Sequence, residues 1–172
     1  MTMKINIKEC AAFGMLGAVM FVTKVLMQFL PNIHLLGTLI VAITVVYRVK
    51  ALFPLYVYIL LDGIFGGFSP WWLPYLYIWT VLWGVTMLLP RRMPLKIAPV
   101  VYCVVSGLHG VLFGTLYAPA QALMFGLNFR ATVAWIVAGL PFDLIHGLSN
   151  VLCGILICPL IAVLRRCKKL TD

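Results

Sequence analysis

The chain has 172 residues, of which 64% are hydrophobic and only 10% are charged, and its mean hydropathy is +1.10. A soluble domain is about 45–50% apolar and about 25% charged, so this composition argues against a water-soluble enzyme, a disordered tail and a nucleic-acid-binding domain. The net charge of +9 does not reverse that conclusion, because the cations interrupt apolar runs in the pattern of membrane proteins.

Prolines and basic pairs divide the chain into six apolar segments. Because a helix that crosses a membrane needs about 20 mostly apolar residues, each segment is a candidate span. We predict helices over about 8–30, 34–48, 51–67, 72–90, 97–117 and 132–164. The second and third are short for complete spans, and the sixth should bend at Pro141. Residues 118–130 should form a structured loop or a surface helix, so residues 1–172 are expected to be one all-α transmembrane domain.

The lysines and arginines lie almost entirely in alternate connections between these helices. Eleven of the thirteen fall on one side, namely Lys4, Lys8, Arg48, Lys50, Arg91, Arg92, Lys96, Arg165, Arg166, Lys168 and Lys169. The positive-inside rule then places both termini inside the cell. That arrangement needs an even number of spans, and six transmembrane helices satisfy it.

Helix 1 contains small residues near its inner end. Ala11, Gly14, Gly17 and Ala18 lie there, and Gly14-x-x-x-Ala18 follows the small-x-x-x-small pattern. Such a pattern lets another helix approach closely. The second helix is either a neighbour within the bundle or part of a second membrane protein.

Two ionisable side chains lie well inside predicted helices. Lys24 falls in the outer half of helix 1, and Asp62 in the middle or outer half of helix 3. Since an unpaired buried charge is costly, each needs a partner. The sequence leaves open whether Lys24 and Asp62 pair with each other or with a ligand.

Helix 4 contains an aromatic stripe. Trp72, Tyr75, Trp79 and Trp83 are spaced by 3, 4 and 4 residues, which puts them on one helical face, and Trp71 precedes them in the outer loop. Such a stripe either packs the bundle or forms an aromatic wall for a flat, hydrogen-bonding solute.

Helix 6 contains the sharpest polar pattern. Asp143, His146, Asn150 and Cys153 are spaced by 3, 4 and 3 residues and so share one face. That face must meet protein or water rather than lipid. It either lines a ligand site or locks helix packing through a polar network. His109 lies at similar depth on helix 5, but nothing fixes a coordination geometry, so no metal site is predicted.

Catalytic sequence motifs are missing. The chain has no G-x-x-x-x-G-K-[ST], no H-E-x-x-H and no G-x-S-x-G. We therefore do not expect an enzyme, nor ATP binding by a P-loop in this chain.

Taken together, these features resemble the substrate-binding S component of energy-coupling factor (ECF) transporters. The shared features are chain length, six helices with both termini inside, small residues at the inner end of helix 1, and outer loops closing a pocket. Helix 1 departs from the family's A-x-x-x-A motif, for which Gly14-x-x-x-Ala18 is the nearest match. The resemblance implies a bacterial cell-membrane protein that captures a vitamin-like micronutrient and docks on a transmembrane coupling protein with two ATPase subunits. ATP would be used by those subunits, and this chain would need no cofactor.

The resemblance also implies a set of site residues. The pocket would be lined by Asn32, His34, Trp71, Trp72, Tyr75, Trp79, His109, Asp143, His146 and Asn150, and the docking face would include Ala11, Gly14 and Ala18. Aromatic walls with few charges favour a small nitrogen heterocycle over a polyanion.

Two alternatives remain open at this point. One is a stand-alone small transporter that uses buried Asp and His side chains to relay protons. The other is an integral-membrane enzyme with Asp143 and His146 as an acid–base pair.

Overall fold

The computed structural model describes residues 5–171, with side chains to residue 169. Lys4, one of the cations assigned to the inner side, lies outside the described residues. Within them the protein is all-helical, without strands. The helices are α1 (Ile7–Leu26), α2 (Leu36–Tyr47), α3 (Leu52–Gly66), α4 (Tyr75–Leu88), α5 (Ala98–Val111), α6 (Phe113–Phe125), α7 (Phe129–Gly154) and α8 (Ile157–Thr171).

Four helical stretches are long and apolar enough to cross a membrane. They are Ile7–Leu26, Leu36–Gly66, Ala98–Phe125 and Phe129–Gly154. The helix Tyr75–Leu88 is apolar but shorter. The protein therefore has the helices of a membrane protein.

Several predicted helix boundaries were wrong. The segment predicted as one helix over 132–164 is two helices, because α7 ends at Gly154 and α8 begins at Ile157. Pro141, where a bend was predicted, lies within α7. The helix predicted over 97–117 ends at Val111, and of the two outcomes predicted for 118–130, a loop or a helix, most of the segment is helical as part of α6.

Local chemistry explains the boundary between α6 and α7. Gly126 adopts a left-handed conformation with φ 65° and ends α6, as glycine often does after a helix. Asn128 then caps α7, since its side chain accepts a hydrogen bond from the Ala131 N–H at 2.9 Å. A turn of three residues thus separates two helices in a stretch whose composition resembles a loop.

Two ion pairs join α1 to α3, one near each end. Lys50, just before α3, contacts Glu9 at 2.5 Å, and Lys24 contacts Asp62 at 2.5 Å. The two helices therefore run parallel. Between the pairs, a Cβ on Gly17 would lie 2.9 Å from the Pro54 carbonyl oxygen, so glycine permits their close approach.

Helix α2 lies at the centre of the protein. All of its residues except Val45 are buried, as expected for a helix that is apolar on every side. At its end, Arg48 has φ 55° and the chain turns into α3. The Arg48 guanidinium donates to the Met87 carbonyl at 2.5 Å, and the Trp83 indole donates to the Arg48 carbonyl at 3.1 Å. We call this end of the bundle, which carries Arg48 and Lys50, the basic end.

Candidate functional site

A cavity of about 220 Å³ lies at the end of the bundle opposite the basic end. The connection between α1 and α2, residues 27–35, forms one side of it. The remaining walls come from the last turn of α1, the first residue of α2, from α3 and α4, and from the facing parts of α6 and α7. The cavity is thus built by six helices and one connection.

Aromatic rings surround the cavity at contact distance. The His34 ring lies 4.7 Å from the His146 ring and 5.9 Å from the Trp79 ring, measured between centroids. Phe113 lies 4.9 Å from His146 and 5.4 Å from Trp79, and Tyr75 lies 5.9 Å from Trp79. Rings arranged at these distances form a wall suited to a flat solute.

Four of the residues that line the cavity have a buried polar atom without a hydrogen-bond partner. These atoms are His34 Nδ1, His146 Nε2, Tyr58 Oη and Trp79 Nε1. A buried polar group that lacks a partner costs about 1–3 kcal/mol, so four such groups around one cavity require an explanation. A bound polar molecule would supply the missing partners.

His34 lies in the connection before α2 and is neutral at physiological pH. Its pKa is lowered to about 4, mainly by burial, and the nearby His109 and Lys24 act in the same direction. A neutral imidazole has one nitrogen that donates and one that accepts. His34 therefore offers hydrogen bonding to a solute without adding charge.

Lys24 lines the cavity and pairs with Asp62 outside its wall. The ammonium nitrogen is 2.5 Å from the carboxylate and 5.6 Å from the centre of the Trp71 ring. The side chain of Asp62 is 2% exposed and that of Lys24 is 31% exposed. The pairing that the sequence left open is therefore between these two side chains, and their charges cancel.

Five of the residues assigned to the pocket from the sequence line this cavity: Asn32, His34, Tyr75, Trp79 and His146. They come from the α1–α2 connection, α4 and α7. The structure thus brings together the polar face of α7 and the aromatic face of α4, although the two helices are far apart in sequence.

Trp71 and Trp72 lie behind the wall rather than on it. Trp72 donates its indole N–H to the Ile59 carbonyl at 2.7 Å and packs edge-on against Phe68. Trp71 contacts Tyr75, with ring centroids 5.6 Å apart. Trp72 thus ties the turn before α4 to α3, and Trp71 supports Tyr75, which does line the cavity.

Asp143, Asn150 and His109 also lie outside the cavity wall, in contacts between helices. Both carboxylate oxygens of Asp143 accept from the Gly114 N–H, at 3.0 and 3.1 Å. An anion is favourable at this place because the first turn of α6 has unpaired N–H groups. Asn150 donates to the Ser106 carbonyl at 3.0 Å.

His109 lies one layer behind Trp79. Its Nε2 is 3.0 Å from the Ile78 carbonyl oxygen, and its ring lies 5.5 Å from the Trp79 ring. Direct solute contact by Asp143, Asn150 and His109 stays a prediction. The contacts that these side chains make in the structure are those of a polar network between helices, which was the other interpretation of the polar face of helix 6.

Of the predicted docking residues Ala11, Gly14 and Ala18, Gly14 borders a groove that also contains Phe53 and Val57 of α3. No atom lies within 4 Å of a Cβ placed on Gly14, and Ala11 is exposed. Gly17, by contrast, packs against α3. The small residues of α1 thus divide between a packed face and an open face.

Tyr58 and Phe113 line the cavity but were not predicted to do so. The spacing of each from a polar residue is a sequence pattern that could have indicated this. Tyr58 precedes Asp62 by four residues on α3, and Phe113 follows His109 by four, a spacing that puts such pairs on one helical face. Among the described residues, no group of three or more His, Cys, Asp or Glu side chains could hold a metal ion.

Comparison with known proteins gives no match, neither to a family model nor to a curated protein nor to a solved structure. Function must therefore be argued from the cavity and its surroundings.

Proposed function

We propose that this chain is the substrate-binding membrane subunit of an ECF-type importer, and that it captures a small, flat, polar micronutrient from outside a bacterial cell. The observation that carries the proposal is the cavity at the end opposite the basic residues, with unpaired polar atoms on its aromatic wall. Because basic connections face the cytoplasm, the cavity end is the extracellular end.

In this proposal the chain crosses the membrane six times, with both termini inside. The parallel arrangement of α1 and α3 supports this topology, because α2 must then return between them. The stretch Leu36–Gly66 would be a helical hairpin turning at Arg48 rather than one span. The apolar layer on the cytoplasmic side of the cavity would act as a seal.

Small molecules that co-purify with the protein provide the first test. The protein is isolated in mild detergent and denatured, and released compounds are identified by mass spectrometry. His146→Ala removes a cavity side chain, whereas Ser149→Ala changes a buried residue on the same helix that does not line the cavity. We expect wild type and Ser149→Ala to release the same compound stoichiometrically, and His146→Ala to release little.

Equal release from all three proteins, or only traces from each, would contradict capture in this cavity. Uptake into liposomes then separates the alternatives. Import by the chain alone, driven by a proton gradient, would favour a stand-alone transporter, and chemical conversion of the compound would favour an enzyme. We expect neither, because the partner ATPases would supply the energy.

The open face of α1 is the proposed docking face for the coupling protein. Gly14→Leu fills space that no described residue occupies, so the isolated subunit should keep its stability and its ligand. Co-purification with the coupling protein and uptake by the whole transporter should fall. Ala12→Leu on the same helix provides a control outside the predicted pattern.

A further inference from the structure

The cavity also restricts what the solute can be, and this inference rests on the proposed function. Three independent properties restrict the solute: the volume of the cavity, the formal charge of its wall, and whether the unpaired polar atoms donate or accept hydrogen bonds.

The volume limits the solute to about one ring. A cavity of about 150 Å³ holds benzene, and sites for drug-sized ligands occupy about 300–1,000 Å³. At about 220 Å³, this cavity lies between the two. It has room for one aromatic ring with a small substituent, but a fused three-ring system would need a larger site.

The wall has no formal charge in excess. Lys24 is the only charged side chain among the described residues that line the cavity, and Asp62 neutralises it at 2.5 Å. His34 is neutral because burial lowers its pKa to about 4. The nearby Asp143 faces the Gly114 N–H rather than the cavity. A charged solute would therefore be buried without a counter-ion, which is strongly unfavourable.

The unpaired atoms fix part of the hydrogen-bond pattern. An indole N–H donates and never accepts, so an acceptor atom on the solute would supply the partner that Trp79 Nε1 lacks. The Tyr58 hydroxyl and the two imidazole nitrogens each donate or accept. A carbonyl or pyridine-type nitrogen on the solute satisfies Trp79, and a neighbouring N–H or N satisfies the others.

We propose that the cavity takes an uncharged single-ring nitrogen heterocycle, and that an acceptor atom of this solute receives the indole N–H of Trp79.

Equilibrium dialysis with matched probes tests this proposal. Pyridine-3-carboxamide, pyridine-3-carboxylate and protonated 3-(aminomethyl)pyridine share one ring and differ in charge. Uracil and orotate provide a second neutral and anionic pair. We expect an uncharged probe to bind at least ten times more tightly than its charged counterparts, and a three-ring flavin not to bind.

Two conservative variants test the hydrogen bonds. Trp79→Phe and Tyr58→Phe remove the donors while keeping an aromatic ring, and each should weaken binding of the uncharged probe about tenfold. Trp83→Phe and Tyr102→Phe, at the basic end, are the matched controls and should bind like wild type. Elution as a single species in size-exclusion chromatography shows which variants have folded. One folded cavity variant, Trp79→Phe or Tyr58→Phe, is enough to test the hydrogen bonds.

Tighter binding of a charged probe, binding of the flavin, or equal binding by cavity and control variants would overturn the inference while leaving solute capture intact. Failure of every one-ring probe to bind at millimolar concentration would also overturn it. The co-purification experiment decides the proposed function separately, since it does not assume a size or charge for the compound.

Discussion

At the scale of single residues, the Lys24–Asp62 pair is the site of the largest expected effect on stability. Asp62 is almost fully buried, so Lys24→Met leaves a carboxylate without a counter-ion. Breaking a buried pair on one side costs about 3–5 kcal/mol, and we expect a value at the lower end because Lys24 is partly exposed. Thermal unfolding in detergent measures the loss.

The double variant Lys24→Met/Asp62→Leu removes both charges and should recover most of that stability. Lys96→Met, at an exposed position of the basic end, should have little effect. If the double variant lost the sum of the two single losses, the two side chains would not be energetically coupled.

His34 should make stability depend on pH. Its pKa falls from 6.5 in a solvated histidine to about 4 in the folded protein, so the folded state holds the neutral form. Its contribution to stability is complete above about pH 6.5 and is lost as pH falls toward 4. We expect the melting temperature of wild type to fall more between pH 7 and 4.5 than that of His34→Asn.

The charged and titratable groups near His34 are His146, His109 and Lys24, and the variant keeps them all. The difference between the two pH profiles therefore reports the loss of the His34 imidazole together with its effect on His146, whose ring lies 4.7 Å away. Superimposable profiles would contradict a buried neutral state for this side chain.

At the scale of secondary-structure elements, the contact between α5 and α7 depends on glycine. A Cβ on Gly110 would lie 2.8 Å from the Gly147 Cα and 2.8 Å from its nitrogen. Because these are backbone atoms, Gly110→Ala must separate the two helices, and such overpacking costs about 1–3 kcal/mol. Urea or thermal unfolding in detergent checks the loss.

Gly139→Ala on α7 provides the control, since no atom lies within 4 Å of its added Cβ. There alanine should be neutral or slightly stabilising, because glycine inside a helix costs about 0.5–1 kcal/mol. A comparable loss in both variants would contradict a specific role for the close contact between α5 and α7.

Hydropathy located most of the helices but not all of their ends. The apolar runs that became α1 to α5 were visible, since burial in a bundle or in lipid requires apolar side chains. Helix α6 was predicted only in part, with 118–130 left as a structured loop or a surface helix, because Pro119, Gln121 and neighbouring small residues resemble a loop. Its first turn is stabilised by Asp143 from a helix that follows it in sequence, and no local pattern reports such a contact.

The same limit applies to the cavity. Its polar and aromatic members on α4 and α7 were identified from periodicity. Whether Trp79 or Asn150 contacts the cavity depends on the rotation of its helix, and a stripe of four residues is longer than the cavity that it borders. Sequence periodicity therefore identified the faces that meet and could not separate wall residues from those behind them.

At the scale of the whole molecule, the number of membrane crossings gives a sharp prediction. If Leu36–Gly66 is a hairpin, Pro70 lies on the extracellular side, and if it crosses once, Pro70 lies on the cytoplasmic side. The five free cysteines are first replaced, and Pro70→Cys is labelled in intact cells with an impermeant maleimide. We expect labelling from outside.

Arg92→Cys should be protected until the cells are opened, because the turn between α4 and α5 is cytoplasmic in either topology. Protection of position 70 in intact cells, with labelling after lysis, would contradict six crossings and support four.

The two ion pairs between α1 and α3 have a mechanical consequence. If α1 slipped by one helical turn along α3, it would move about 5.4 Å. Both ion pairs would then break at once, and the carboxylates of Glu9 and Asp62 would lose their cationic partners. The two helices must therefore move as one rigid body. The connection over 27–35, which forms one side of the cavity, lies outside that body, so it can move without breaking either pair.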